Sequence, residues 1–142
     1  MTIIEQLTKI YHEKEFWHKK KLPVEEINNY HEKMMNMRQI LTYIVDGELI
    51  GYLEFYRITF EQFGRICCNE QLSDTEDLSS GPVAFINRMY IKEEHRRSDL
   101  FMELVNQFIE RNINAEHYAT LQHHKKHKSL QVFYRKDWVK TN

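Results

Sequence analysis

Cysteine is scarce in this sequence, and the placement of its two residues excludes the usual roles of a cysteine pair. Cys67 and Cys68 are adjacent, so they are badly placed to form a disulfide with each other. No C-x-x-C pair is present, so the chain lacks the spacing of a thiolate zinc site. We therefore expect two buried or half-buried free thiols that behave as small apolar side chains.

Long apolar runs are absent as well. The sequence has no run of the ~18 apolar residues that a membrane-spanning helix needs. Residues 2–17 carry glutamates early and have no long apolar stretch, which is typical of a helix and not of a signal peptide. We therefore expect a cytoplasmic protein without a membrane segment.

A dominant charge of one sign is the third absence. The 20 basic and 21 acidic residues give a formal net charge of −1, which argues against a nucleic-acid binder. Basic residues do gather between His123 and Lys140, where we expect either a solvated surface or a patch for phosphate or an acidic partner. His123 and His127 have a spacing that suits a metal on one helix face, but no nearby Cys, Asp or Glu completes a ligand set, so no metal site is predicted.

The sequence does contain enough apolar material for one domain. Of its 142 residues, 42% are hydrophobic and 13% are aromatic, which supports one core and argues against disorder. We therefore expect a single domain that spans residues 1–142.

Apolar periodicity and turn signals predict the order of the elements. Helical spacing covers residues 2–17 and 23–37, and Pro23 suits a first helical turn. Asp46-Gly47 predicts a type I′ hairpin between the strands Ile40–Val45 and Glu48–Arg57.

The second half of the chain alternates strand and helix. We expect a possible strand extension in FGRICC, then a loop to residue 82 and a strand over 83–91. A helix capped by Ser98 or Asp99 should follow and end near Arg111. After it we expect a strand over 117–122, and then one or two helical turns with a final short strand in 129–138. A strand, a helix and a strand in succession predict a right-handed crossover onto a mixed sheet. The fold class is therefore α/β, or α+β.

Two stretches resemble a known family. VAFINRMYIKEEHRRSDLFMELVNQFIER (83–111) is similar to the central strand–loop–helix unit of the GNAT superfamily of N-acetyltransferases, and KSLQVFYRKDWVK (128–140) is similar to its C-terminal motif. The hairpin ILTYIVDGELIGYLEF fits the same family. The resemblance implies a GNAT-like mixed, mainly antiparallel sheet flanked by helices, with a central β-α-β unit that binds CoA.

The same resemblance implies a cofactor site. Acetyl-CoA is expected in a split between two neighbouring parallel strands, with its pyrophosphate on backbone N–H groups where the loop enters the central helix. The resemblance assigns phosphate contacts to Arg96, Arg97, Ser98, Asp99, Leu100 and Phe101, and contacts to the acetyl carbonyl to the backbone of Met89, Tyr90 and Ile91. Where the family loop has glycines, this chain has Arg97, Asp99 and Phe101. Either the arginines compensate by charge or CoA binding is lost.

Two residues are predicted to be catalytic. Tyr134 aligns with the tyrosine that protonates the leaving thiolate in the family, a role that suits a phenol with a pKa near ~10. Glu54 lies among aromatic residues of a strand, where a carboxylate serves as general base, directly or through water; the alternative is an exposed or salt-bridged strand residue. Asn87 stands where many relatives carry an acid, and its amide is suited to binding substrate but not to acting as a base.

The sequence thus favours an acetyl-CoA-dependent N-acyltransferase that acts on an amine of a small molecule or of a protein. The alternative is an inactive GNAT-like module that has lost CoA binding and binds a protein partner. A nucleic-acid binder based on the basic C-terminal residues is the third and weakest hypothesis.

Overall fold

The computed structural model describes residues 1–14, 22–73, 75–96, 98–123 and 128–134, with the backbone alone described for Lys14 and from Leu121 onward. Within these ranges the chain forms four α-helices, one 3-10 turn and five strands. In chain order they are α1 (Ile3–Lys14), α2 (Val24–Asn36), β1 (Ile40–Val45), β2 (Glu48–Ile58), α3 (Phe60–Cys67), β3 (Val83–Ile91), the 3-10 turn Glu93–His95, α4 (Leu100–Arg111), β4 (His117–His123) and β5 (Lys128–Tyr134).

The strands form one sheet in the order β1-β2-β3-β4-β5. Three of its four pairings are antiparallel, and β3 with β4 is the parallel pair. Helix α4 makes the crossover between these two parallel strands. The mixed, mainly antiparallel sheet with a central β-α-β unit is therefore confirmed.

Helices cover both faces of the sheet. On one face α4 packs on β2 through a core that includes Leu53, Phe55, Leu104 and Phe108. On the other face α1 and α2 pack on β1 and β2 through a core of Leu7, Met34, Ile40, Leu49 and Tyr52. Each fully buried side chain of this size contributes about 1.5–3 kcal/mol to stability. The sheet is therefore buried on both faces along β2.

The hairpin between β1 and β2 follows its sequence signal. Asp46 and Gly47 both have positive φ, 51° and 79°, as a type I′ turn requires. The predicted strand 83–91 coincides with β3, and the helix predicted to end near Arg111 coincides with α4. Local turn and capping chemistry therefore determines these elements.

Two elements differ from the predictions. Residues 60–67 form helix α3 and not a strand extension, because Thr59 and Gln62 build a capping box in which each side chain bonds the other's backbone N–H. Residues 128–134 form strand β5 and not helical turns, since they pair with β4 along their whole length. The helical interpretation of 129–134 is therefore wrong, and pairing with a neighbouring strand is the reason.

The two free cysteines are exposed, and the expectation that they are buried or half-buried is wrong. Cys67 is the last residue of α3 and Cys68 follows it as the cap, so both lie at the end of a surface helix.

The segment between α3 and β3 is the predicted loop, but it is tethered to the fold. Arg65 forms a salt bridge with Glu76 at 2.6 Å, and Gln62 Nε2 donates to the carbonyl of Asp77 at 3.1 Å. The N–H of Arg57 donates to the carbonyl of Leu78 at 2.7 Å. These bonds hold the loop against α3 and β2.

Candidate functional site

The parallel strands β3 and β4 are joined over only part of their length. They pair from Val83 with His117 to Ile86 with Thr120. Strand β3 continues to Ile91 and β4 to His123, and no pairing between them is present over these described residues. A cleft therefore opens between the carboxyl ends of the two central strands.

A bulge in β3 lies at the point where this pairing ends. Glu54 of β2 pairs with Arg88, and the next residue, Phe55, pairs with Ile86, so Asn87 is an extra residue in β3. A bulge bends its strand and increases the local twist. The bulge at Asn87 therefore coincides with the separation of β3 from β4, whose pairing ends at Ile86.

The backbone of β3 beyond the bulge turns alternate peptide groups toward the cleft. The N–H of Lys92 donates to the carbonyl of Ile50 at 2.8 Å, which marks one hydrogen-bonded position of the β2–β3 pair. By the alternation of an antiparallel ladder, Tyr90 also faces β2, while Met89 and Ile91 face the cleft. Arg96 Nε donates to the carbonyl of Ile91 at 2.9 Å. The N–H of Met89 is therefore the first one beyond the bulge that points away from β2 and toward the cleft.

The N-terminus of α4 lies beside this cleft because Gly51 permits a close approach. A Cβ at Gly51 would lie 3.0 Å from the carbonyl oxygen of Tyr90 and 3.3 Å from Leu100 Cδ2. A side chain at this position would therefore require these neighbours to shift by a few tenths of an ångström. The absence of a side chain at Gly51 permits the helix terminus and the end of β3 to lie this close together.

The first turn of α4 keeps some of its N–H groups available. Ser98 Oγ accepts a bond from the N–H of Leu100 at 3.3 Å, and the side chain of Asp99 makes no capping bond. Within the described residues, the N–H groups of Phe101 and Met102 have no hydrogen-bond acceptor. Phe101 is half exposed, so its side chain is not buried over these groups. Arg97 lies outside the described residues.

Glu54 lies in a buried polar cluster on the opposite face of the sheet, the face covered by α1 and α2. Its side chain is 1% exposed, and its Oε2 accepts a hydrogen bond from Asn87 Nδ2 at 2.5 Å and lies 3.9 Å from Arg88 Nε. The bulge explains this geometry, because two successive residues of β3 oppose one residue of β2. These contacts match the salt-bridged alternative for Glu54, and its role as a general base, directly or through water, stays a prediction.

Two tyrosines extend the cluster. Tyr30 and Tyr56 share a hydrogen bond of 2.8 Å between their hydroxyls, and Asn87 Nδ2 donates to the Tyr56 hydroxyl at 3.2 Å. Burial and the negative charge of Glu54 raise the pKa of both tyrosines. Both phenols therefore stay protonated over the physiological range, and one of them donates the hydrogen bond that joins their hydroxyls.

The cation of the cluster is enclosed by aromatic rings. The Arg88 guanidinium lies 5.2 Å from the centre of the Tyr11 ring and 6.0 Å from that of Tyr30. Behind it, burial and then the positive charge of Arg88 lower the pKa of His31 to about 4. Thr8 donates to Asn28, so His31 Nδ1, 3.0 Å from the Thr8 hydroxyl, is the donor of that bond. His31 is therefore neutral at pH 7.

The strand register places Tyr134 at the closed end of the sheet. Its backbone pairs with His117, which in turn pairs with Val83, whereas the cleft begins beyond Thr120. Three strand residues separate these positions, about 10 Å along β4. The side chain of Tyr134 lies outside the described residues, so its predicted role as an acid stays a prediction. The fold does not bring its backbone to Met89.

The histidines near residue 123 differ from their predicted arrangement. His123 ends strand β4, so it does not begin the helix on which it would share a face with His127. His124 and His127 lie outside the described residues.

In the described part of the chain, no helix is both long and apolar enough to cross a membrane.

Comparison with known proteins identifies the family. The model of the acetyltransferase (GNAT) family matches residues 4–136, so the chain belongs to this family. No sequence among the curated proteins matches it.

Solved structures with the same fold share little sequence with the chain. The loading GNATL domain of CurA from Lyngbya majuscula has a TM-score of 0.58 at 15% identity over 86% of this chain and 62% of that one. The GphF GNAT-like decarboxylase in complex with isobutyryl-CoA has a TM-score of 0.56 at 14% identity, over 83% and 60% of the two chains. AAC(6')-Iy in complex with a bisubstrate analogue has a TM-score of 0.55 at 15% identity, over 86% and 74%. The chain thus spans about 60% of the length of the first two structures, and the likeness establishes the fold.

Proposed function

We propose that the chain is an N-acyltransferase that uses acetyl-CoA and transfers the acyl group to an amine of a small molecule or a protein. The observation that carries this proposal is the cleft between β3 and β4, which opens directly beside the N-terminus of α4. The cytoplasmic location expected from the sequence stays part of the proposal.

The residues at α4 suit the diphosphate of a CoA molecule. The N–H groups of Phe101 and Met102 stand at the positive end of the helix dipole, where anions are stabilised. Arg96 is exposed, and with its Nε on the carbonyl of Ile91 it keeps its two terminal nitrogens for an anion. We propose that these two N–H groups, for which the described residues provide no acceptor, offset the missing loop glycines.

The strand residues suit the acyl end. A thioester supplies the activated acyl group, and charge develops on its carbonyl oxygen when an amine attacks. The N–H of Met89 faces the cleft and is held in place by the β2–β3 ladder, so it is a preorganised donor for that oxygen. We propose this backbone role for Met89, and for Ile91 a supporting role through its bond with Arg96.

A cavity on the α1 side suits the amine. It has a volume of about 290 Å³, and its lining includes Glu13, Glu48, Tyr90 and Lys92. Glu48 forms an ion pair with Lys92, whereas Glu13 has no described cationic partner. We propose that Glu13 attracts the ammonium form of the acceptor next to the end of β3. Glu54, which is buried, acts as a positioning residue for Asn87 and Arg88.

The alternative, a GNAT-like module that has lost CoA binding, rests on the absence of glycine from Arg96 to Phe101. Calorimetric titration of the full chain with acetyl-CoA separates the two. At about 100 times the dissociation constant, a bound ligand stabilises a protein by roughly 2.7 kcal/mol, which a thermal melt detects. No heat and no shift at millimolar acetyl-CoA would refute the enzyme hypothesis.

A second experiment tests the residues and the reaction. Changing Arg96 to Ala should weaken acetyl-CoA binding, whereas Lys33→Gln removes a positive charge from the exposed surface of α2 and should not. Release of the free CoA thiol is then measured with a panel of amines. Because GphF is a decarboxylase, loss of CO2 from a carboxylated acyl-CoA is assayed in parallel. Decarboxylation without amine transfer would contradict the proposed reaction while leaving CoA binding intact.

A further inference from the structure

Three arginines line a cavity at the far end of α4. Its volume is about 260 Å³, with Arg38, Arg57 and Arg111 in its lining and the buried side chains of Gln39, Phe55 and Asn112 beneath them. The arginines come from the end of α2, from β2 and from the last turn of α4. Residues far apart in sequence thus bring three positive charges to one place.

The cavity is separate from the cleft between β3 and β4. The cleft lies at the N-terminus of α4, and the cavity lies at its C-terminus. A helix of 12 residues is about 18 Å long. A ligand of the cavity therefore does not share the cofactor's phosphate contacts.

The three guanidinium groups have neutral neighbours. None of them forms an ion pair with an Asp or Glu in the described parts of the chain. Arg57 donates to the carbonyl of Gly81 at 2.9 Å and to Asn114 Oδ1 at 3.0 Å, and Arg111 donates to the carbonyl of Arg38 at 3.0 Å. Burial lowers the pKa of Arg57, as expected for a cation without a counter-charge. Like charges that line one cavity repel one another, and an anion between them offsets this repulsion.

Arg38 has a backbone conformation that is unfavourable for most residues other than glycine. Its φ is 59°, in the left-handed region, and it is the residue directly after the C-cap of α2. The N–H groups of Arg38 and Gln39 donate to the carbonyls of Met35 and Met34, both at 3.0 Å, which is a Schellman ending. Glycine is the usual residue at this position. An arginine that occupies it in spite of strain points to a use for its side chain.

The negative end of the α4 dipole opposes an anion here, but it is covered. Asn112 Nδ2 donates to the carbonyl of Phe108 at 2.9 Å, and the Tyr118 hydroxyl donates to the carbonyl of Asn112 at 3.2 Å. A helix terminus carries about half an elementary charge, so three guanidinium groups outweigh it.

We propose that this arginine cavity binds a small phosphate dianion, either inorganic phosphate or the phosphate group of a small monoester. Guanidinium groups match phosphate oxygens with paired, charge-assisted hydrogen bonds. The volume is slightly below the range of roughly 300–1,000 Å³ that drug-sized ligands need, so the occupant is smaller than a CoA molecule.

Titration with inorganic phosphate tests the proposal. We expect calorimetric binding to the full chain at constant ionic strength, with a dissociation constant of about 5 mM or lower, and a matching rise in melting temperature. Arg38→Gly and Arg111→Gln should each weaken phosphate binding about tenfold, which is the loss expected for one charge-assisted contact. Arg38→Gly relieves the left-handed backbone, so this variant stays folded.

Two controls locate the effect. Lys33→Gln removes an exposed charge outside the cavity, and Arg96→Ala removes the proposed cofactor contact, so both should leave phosphate binding unchanged. Glycerol 3-phosphate is titrated beside inorganic phosphate, and tighter binding of the ester identifies a monoester as the ligand. No binding at about 20 mM phosphate, or binding that both cavity variants retain, overturns the proposal. Loss of phosphate binding in Arg96→Ala alone assigns the anion to the cleft and overturns it as well.

Discussion

Removal of the Glu54 charge tests whether the buried cluster is a structural ion pair. The substitution Glu54→Gln keeps the size of the side chain and one oxygen that accepts the bond from Asn87 Nδ2. It removes the carboxylate that lies 3.9 Å from Arg88 Nε, while the Arg88 side chain is only 13% exposed. Removing one partner of a buried ion pair is destabilising, so we expect the variant to unfold at lower denaturant concentration.

The structure sets the magnitude of this loss. Breaking a fully buried pair costs about 3–5 kcal/mol. Here Nε and Oε2 are 3.9 Å apart, and the rings of Tyr11 and Tyr30 continue to stabilise the cation. Cation–π contacts of this kind contribute about 0.5–2 kcal/mol. We therefore expect Glu54→Gln to lower the free energy of unfolding by about 2–3 kcal/mol, as measured by urea denaturation.

An exposed ion pair serves as the comparison for the buried one. Glu61 lies at the same distance of 3.9 Å from Arg65, but its side chain is 79% exposed. An exposed pair contributes little, so Glu61→Gln should cost less than about 0.5 kcal/mol. The double variant Glu54→Gln/Arg88→Met should cost less than the sum of its single changes by about 2 kcal/mol, because no charge is left unpaired. Additive single changes, or a Glu54→Gln loss no larger than that of Glu61→Gln, would refute the reasoning.

The remaining predictions concern four positions. Arg38→Gly should raise the free energy of unfolding by up to about 1 kcal/mol in urea, because glycine adopts a φ of 59° without strain, and a loss of stability would contradict the assigned backbone. Gly51→Ala should lower the free energy of unfolding by about 1–3 kcal/mol and weaken acetyl-CoA binding, because its Cβ would lie 3.0 Å from the carbonyl oxygen of Tyr90. Wild-type values for both would argue against the close approach of α4. The pKa of His31 is lowered to about 4 in the folded chain, so the unfolded chain binds this proton first as pH falls. The free energy of unfolding should therefore decline by up to about 3 kcal/mol between pH 6.5 and 4. His31→Gln should flatten this decline, and an unchanged pH profile of stability in the variant would exclude His31 as its source. If Tyr134 is the general acid, Tyr134→Phe should lower turnover about ten- to a thousandfold with CoA affinity intact. Turnover within about a factor of two would exclude this role and would agree with the position of its backbone at the closed end of the sheet.

Local signals in the sequence were sufficient for much of the fold. The Asp46-Gly47 hairpin, strand β3 and helix α4 each depend on residues within a few positions of one another, and the sequence predicts all three. Helix α3 also had a local signal, the Thr59-x-x-Gln62 capping box, which the apolar and cysteine residues that follow it obscured. Its misassignment was therefore avoidable.

The geometry of the candidate site was beyond local signals. The bulge at Asn87 is a property of the register between β2 and β3, and neither strand reveals it alone. The pairing of Glu54 with Arg88 joins residues 34 positions apart, and the three arginines of the cavity span residues 38–111. Long-range register and packing place these groups, so the sequence identified Glu54 as a residue of interest without identifying its partner.

The cleft also leaves an open strand edge in the interior of the sheet. Proteins usually protect such edges, because unpaired N–H and C=O groups can accept a strand from another molecule and so begin aggregation. Here β3 beyond Asn87 and the end of β4 carry that hazard between two central strands, where charged edge residues and twist offer less protection than at an outer strand. Occupation of the cleft by any extended ligand would cover these groups. We therefore expect a ligand in the cleft to lower the tendency of the protein to aggregate, because it would cover the same peptide groups.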